Sequence, residues 1–144
     1  MGHSENALST FLNFSGAATS FSKAEKEVID LAISQVNGCR YCQSAHTALA
    51  KMNGFTDEQA LELREGRASW DSKVDALAKI SKALSENRGH VSEELKQNFF
   101  NAGYNKENLV DLVVAAGAIT VTNFLHNITD VEIDFPVAPK LTTA

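Results

Sequence analysis

The chain has 144 residues, 44% of them apolar and 22% charged, and a formal charge of −5. That is the length and composition of one globular domain able to bury a core without crosslinks, and it excludes disordered and collagen-like chains. Acidic balance and scattered Lys and Arg exclude a phosphate-binding basic face, so no nucleic-acid partner is expected.

The most apolar run, Leu109 to Ile119, is interrupted by Asp111 and falls short of the roughly 20 residues a membrane span needs. No membrane association is therefore expected. The first residues lack the basic start and apolar stretch of a secretory signal, which makes a cytoplasmic location the expectation.

Residues 1–21 form an N-terminal segment without an assigned element. Ser22-Lys23-Ala24-Glu25 then reads as a capping box, opening a helix that carries Val28, Leu31, Ala32 and Val36 on one face. It stops near Asn37-Gly38. A second major helix begins around Cys39 to Tyr41 and runs to Asn53, with Gly54 as its left-handed stop. Thr56 to Gln59 is another capping box, for a short helix ending at Gly66. Asp71 to Asn87 reads as a longer amphipathic helix, and Ser92 caps one through Leu95, Phe99 and Phe100 to Gly103.

Asn105 caps the last helix, from about Lys106 to Asn127. Val110, Val113, Val114, Ala116 and Ile119 make it apolar around most of its circumference, which predicts a place at the bundle centre or in a subunit interface. Both prolines, Pro136 and Pro139, lie in a tail after Asp130. The predicted architecture is all-α: a single-domain bundle of about six helices over 22–130, flanked by the segment 1–21 and the tail 131–144. The acidic residues Glu58, Glu62 and Glu65 read as a solvated face. Trp70, Phe99, Phe100 and Phe124 read as core or interface.

Both cysteines fall in one window, Asn37 to His46. A Cys-x-x-Cys without an export signal points to redox chemistry or metal binding more than to a structural crosslink. Cys42 sits in the first turns of a helix, where free amides and the dipole favour a thiolate. His46 lies four residues on, and Cys39 is within reach of a disulfide with Cys42. A nucleophilic sulfur, a resolving sulfur and a base are the minimum for reducing a peroxide through a sulfenic acid and a disulfide. Two readings compete. One treats the cysteines as small buried packing residues, which leaves the nearby Glu and His unexplained. The other makes Cys39, Cys42, His46 and Glu27 a zinc site, an awkward tetrahedron with three ligands on one helix end.

The set Glu27, Cys39-x-x-Cys42 and His46 resembles the active-site signature of the alkylhydroperoxidase D-like proteins of the carboxymuconolactone decarboxylase superfamily. Asn37 and Tyr41 are also typical. Asn123, His126-Asn127 and Ile133-Asp134-Phe135-Pro136 resemble the C-terminal half of small members, so the likeness spans Lys23 to Pro136. It implies an all-α trimer or hexamer in which Cys42 attacks a hydroperoxide, Cys39 resolves the sulfenic acid, and Glu27 and His46 relay protons. An external thiol or lipoyl-type reductant would restore the dithiol, and no cofactor or metal is called for. Tyr41 stands where some peroxidase members carry a His, which removes one proton carrier.

The likeness also places Tyr41, Asn123 and His126 at the site rim, although a lone His on an apolar helix end reads first as a cap. His3 and His90 read as exposed. Decarboxylase members lack the paired cysteines, which argues against that activity here. The alternative function is a dithiol oxidoreductase or redox sensor of unknown substrate with weak peroxidase activity, or a zinc-binding structural site.

Overall fold

Seven helices run through the described residues, 1–17 and 19–142, of the computed structural model. They are α1 (Glu5–Ser15), α2 (Lys23–Val36), α3 (Arg40–Met52), α4 (Asp57–Glu65), α5 (Ser72–Glu86), α6 (Glu93–Asn101) and α7 (Lys106–Thr129). No strand occurs among the described residues, so the all-α expectation holds. The predicted starts hold too. Ser22 with Glu25 and Thr56 with Gln59 form reciprocal capping boxes, while Asp71, Ser92 and Asn105 cap α5, α6 and α7. Each such cap is worth about 1 kcal/mol.

The additional helix is α1, in the segment where none was expected. Ser4 caps it by accepting from the Ala7 amide, but no α1 residue is buried, and the helix rests on α7. Phe14 lies beside Gly117 there.

The central helix is α2, not α7. It packs against α3, α4, α5 and α7, and Val28, Ile29, Leu31, Ala32 and Ile33 are fully buried. Each of its large aliphatic side chains contributes about 1.5–3 kcal/mol by leaving water. Leu63, Leu77, Ile80, Phe99 and Leu112 close the core around it, and Tyr104 stacks on Phe99.

Helix α7 buries only one stripe, Leu112, Ala115, Ala118, Ile119 and Asn123. Val110, Val113, Val121, Phe124 and Ile128 face outward. The helix extends beyond the run Leu109 to Ile119, and Leu112 to Thr129 carries no Asp, Glu, Lys or Arg. Contrary to the sequence expectation, it is therefore long and apolar enough to cross a membrane by length and composition alone. In the fold it packs against α1, α2, α3 and α5.

The tail forms no strand despite its brief alternation. It returns across α3, where Ser44 Oγ accepts from the Ala138 amide at 3.0 Å, Arg64 donates to the Pro139 carbonyl at 2.7 Å, and Arg40 donates to the Ala138 carbonyl. Glu62 is more than a solvated carboxylate, since it accepts from the Ser69 amide and hydroxyl and pairs with Arg67.

Candidate active site

The site begins where α2 ends. Gly38 takes φ +66°, a left-handed conformation that favours glycine, and the Gly38 and Cys39 amides bond back to the Gln35 and Ser34 carbonyls. The reversal leaves Cys39 as the N-cap of α3, an unusual cap in which sulfur accepts the Cys42 amide at 3.2 Å. Both cysteines are free thiols, 0% and 2% exposed.

Asparagines from α7 close the site. Asn37 Nδ2 donates to Asn123 Oδ1 at 3.0 Å, Asn123 Nδ2 donates to Ser34 Oγ at 3.0 Å, and Asn127 Nδ2 donates to the Asn37 carbonyl at 2.9 Å. These bonds pin the last turns of α7 onto the α2–α3 turn and carry His126 to the sulfurs. Its Nδ1 lies 3.2 Å from Cys42 Sγ and 4.0 Å from Cys39 Sγ. The Tyr41 ring packs on the imidazole at 4.3 Å between centroids, and Phe135 of the tail meets Tyr41 edge-on at 5.8 Å.

His46 is directed elsewhere. Its Nδ1 is 2.8 Å from Glu27 Oε2 and 3.5 Å from Asp30 Oδ2. Among the described residues, no hydrogen bond joins His46 to either sulfur. The predicted residues thus form two clusters: Cys39, Cys42 and His126, with Tyr41 and Asn123 around them, and Glu27 with His46.

The second cluster has a member the sequence did not flag. Asp30 is fully buried, is paired through Oδ2 with Lys26 at 2.9 Å, and has no partner on Oδ1. Its signal was the Glu27/Asp30 spacing of three, which puts two carboxylates on one helical face. Arg64 was also missed. It is 1% exposed and donates to Gln35 and Gln43 as well as to the tail.

Electrostatics divide the dithiol unevenly. The Cys42 thiol, acting as donor, holds the Cys39 sulfur at about 6, against burial and with help from the Cys42 amide and His126. Cys42 is pushed well up, because ionising it would break that bond and bury a second charge beside the first. One negative charge therefore resides on the pair, at the positive end of α3. Burial lowers the His46 pKa, but the Glu27 hydrogen bond and the Asp30 and Glu27 charges outweigh it, and the net direction is up. The Tyr41 hydroxyl is raised by its bond to Asp134.

A crevice of about 220 Å³ opens at the site between Tyr41, His126, Asn127 and Ile133.

Comparison with known proteins gives concordant results. The pattern of the carboxymuconolactone decarboxylase family matches residues 5–86. The uncharacterized protein YdfG of Bacillus subtilis is 27% identical over 112 residues, 73% of each chain. The alkyl hydroperoxide reductase AhpD of Mycobacteroides abscessus is 36% identical over 58 residues, 40% of this chain and 33% of that one. Among solved structures, an alkylhydroperoxidase AhpD core, an uncharacterized peroxidase-related protein of Ralstonia eutropha, superposes with a TM-score of 0.76. It is 19% identical, with 88% of this chain and 70% of that one covered, so it shows a shared fold.

Proposed function

The chain belongs to the carboxymuconolactone decarboxylase family, and on that premise we propose that it reduces hydroperoxides at the Cys39–Cys42 dithiol. The observation that carries this reading is the contact between Cys42 Sγ and His126 Nδ1 at 3.2 Å inside a buried Cys-x-x-Cys. A base in contact with one sulfur and an amide-stabilised charge on the other suit a displacement at peroxide oxygen followed by one at sulfur.

In the first step Cys42 passes its proton to His126 Nδ1 and its sulfur attacks the terminal peroxide oxygen. The O–O bond breaks, the departing alkoxide takes the proton from His126 and leaves as an alcohol, and Cys42 becomes a sulfenic acid. In the second step the Cys39 thiolate attacks the Cys42 sulfur. The S–O bond breaks, hydroxide takes a solvent proton and leaves as water, and a disulfide remains. An external thiol or lipoyl-type dithiol returns two electrons and two protons. Glu27 on α2 and His46, four residues beyond Cys42 on α3, bond to each other rather than to a sulfur, and in the proposed relay they pass on the solvent proton that the departing hydroxide takes.

The outward apolar stripe of α7 supports a homo-oligomer, and the family resemblance proposes a trimer or hexamer. A cytoplasmic setting would keep the reductant supplied.

The test is stopped-flow mixing of the reduced chain with cumene hydroperoxide, followed by thiol counting and intact mass. Fast loss of both thiols and about two hydrogens of mass is expected. Cys42→Ser should abolish the fast phase, while Cys39→Ser should complete one turnover and stop at the sulfenic acid. Oxidation only at the rate of free cysteine would shift the reading to a dithiol oxidoreductase or sensor with another substrate.

A further inference from the structure

We propose that the reduced dithiol and His126 form a binding site for one soft divalent cation of the Zn²⁺ class, with Cys39 Sγ, Cys42 Sγ and His126 Nδ1 as ligands. The donor atoms lie within 4.8 Å of one another without rearrangement. Zinc–sulfur bonds of about 2.3 Å and zinc–nitrogen bonds of about 2.0 Å set tetrahedral edges near 3.5 Å between sulfur and nitrogen. The two observed edges, 3.2 and 4.0 Å, bracket that length. Two thiolates and an imidazole form a soft set that excludes Mg²⁺ and Ca²⁺ and suits Zn²⁺, Co²⁺ or Cd²⁺.

The surroundings fit this role. The Cys42 amide already bonds to Cys39 Sγ, and Tyr41 fixes the imidazole plane. Arg40, next in sequence, turns its guanidinium away to Gln43 and the Ala138 carbonyl. This ligand set differs from the one the sequence suggested. His46 and Glu27 are excluded, since the His46 nitrogen is engaged by carboxylates. The three protein donors leave a fourth position open, as in catalytic rather than structural zinc sites.

Near neutral pH, where the pair already carries one charge, binding displaces the one remaining thiol proton and leaves two coordinated thiolates. A hydroperoxide would reverse it: the two coordinated thiolates give up two electrons and form the disulfide, two solvent protons complete alcohol and water, and the cation leaves. The bound ion would thus shield the dithiol, and oxidant would release it. The cation site itself does not depend on hydroperoxide being the substrate.

The experiment is an anaerobic titration of the reduced full chain with Co²⁺, followed by displacement with Zn²⁺. Expected are tetrahedral ligand-field bands and thiolate-to-cobalt charge transfer that saturate at one ion per chain and vanish after prior oxidation to the disulfide. His126→Ala, checked for folding by circular dichroism, should weaken binding by roughly tenfold or more, at least the cost of losing an outer-shell partner. His46→Ala should leave the affinity within about twofold of the parent chain. Absent bands, unchanged affinity in His126→Ala, or weakening by His46→Ala instead would overturn the proposal. The readout is optical and needs no peroxide. Intact cobalt binding with failed turnover therefore refutes only the peroxidase reading, and the converse refutes only the cation site.

Discussion

Cys42 Sγ and His126 Nδ1 lie 3.2 Å apart although 84 residues separate them in the chain. The α2–α3 reversal supplies the first and the last turns of α7 the second, with Asn37, Asn123 and Asn127 as fasteners. A histidine in that position touches the Cys42 sulfur, whereas His46, on the same helix as Cys42, is bonded to carboxylates.

His126→Ala is accordingly expected to slow single-turnover oxidation by hydroperoxide by about 10²- to 10⁴-fold, the usual range for a positioned acid–base group. Free imidazole should restore part of the rate. Stopped-flow detection of thiol loss measures both, and an unchanged rate would remove His126 from the chemistry.

Thiolate absorbance of the reduced protein should rise through a midpoint of about 6, for one sulfur of the two. Because the Cys42 thiol is the main partner holding that charge, Cys42→Ala should move the midpoint upward. Iodoacetamide trapping with mass mapping would place the charge on Cys39. A first-ionising Cys42 would contradict the division described above.

His46 has its pKa raised in the folded chain, above an ordinary value of 6.5. The folded state then holds the proton more tightly than the unfolded state, so the stabilisation is complete below pH ~6.5 and fades as pH climbs through the folded value. The stability difference between the parent chain and His46→Ala should therefore shrink on going alkaline. Urea unfolding across pH 5–9 is the measurement, and a difference that grows with pH would show that the imidazole is not held as a cation.

Asn123 is fully buried and bridges Ser34 and Asn37. Asn123→Ala strands those two partners and should cost about 1–3 kcal/mol in urea unfolding. It should also loosen His126, so peroxide oxidation slows with it. Loss of stability at full rate would separate the fold's fastener from the site.

Phe124 and Ile128 are 60% and 82% exposed on α7, beside Val121. A stripe of this kind on one helix is what a second copy of the chain would cover. Sedimentation should show an oligomer that Phe124→Glu and Ile128→Glu dissociate. A monomer at micromolar concentration would leave the stripe for another partner.

The helix starts were legible because a cap is local: Ser22 with Glu25 and Thr56 with Gln59 carry their partners three residues away. The Glu27–His46 pairing was legible as well, since a buried carboxylate needs a counterpart. Helix α1 escaped notice because it buries no side chain, and its position depends on α7. The approach of His126 to the sulfurs is a property of tertiary packing, and nothing in the spacing from residue 42 to 126 encodes it. The central place went to α2 rather than α7 because α2 buries every residue from Glu27 to Ser34, all round the helix, whereas the wider apolar surface of α7 stays half outside.

The sulfur cap of α3 bears on the energetics of electron transfer. In the reduced chain Cys39 Sγ carries charge, receives the Cys42 amide and sits at the positive end of the helix. A disulfide carries no charge there, so oxidation forfeits that electrostatic stabilisation. Whatever stabilises the dithiol form selectively raises the reduction potential of the couple. A Cys39–Cys42 disulfide would therefore be easier to reduce than one whose dithiol form lacked this charge and cap.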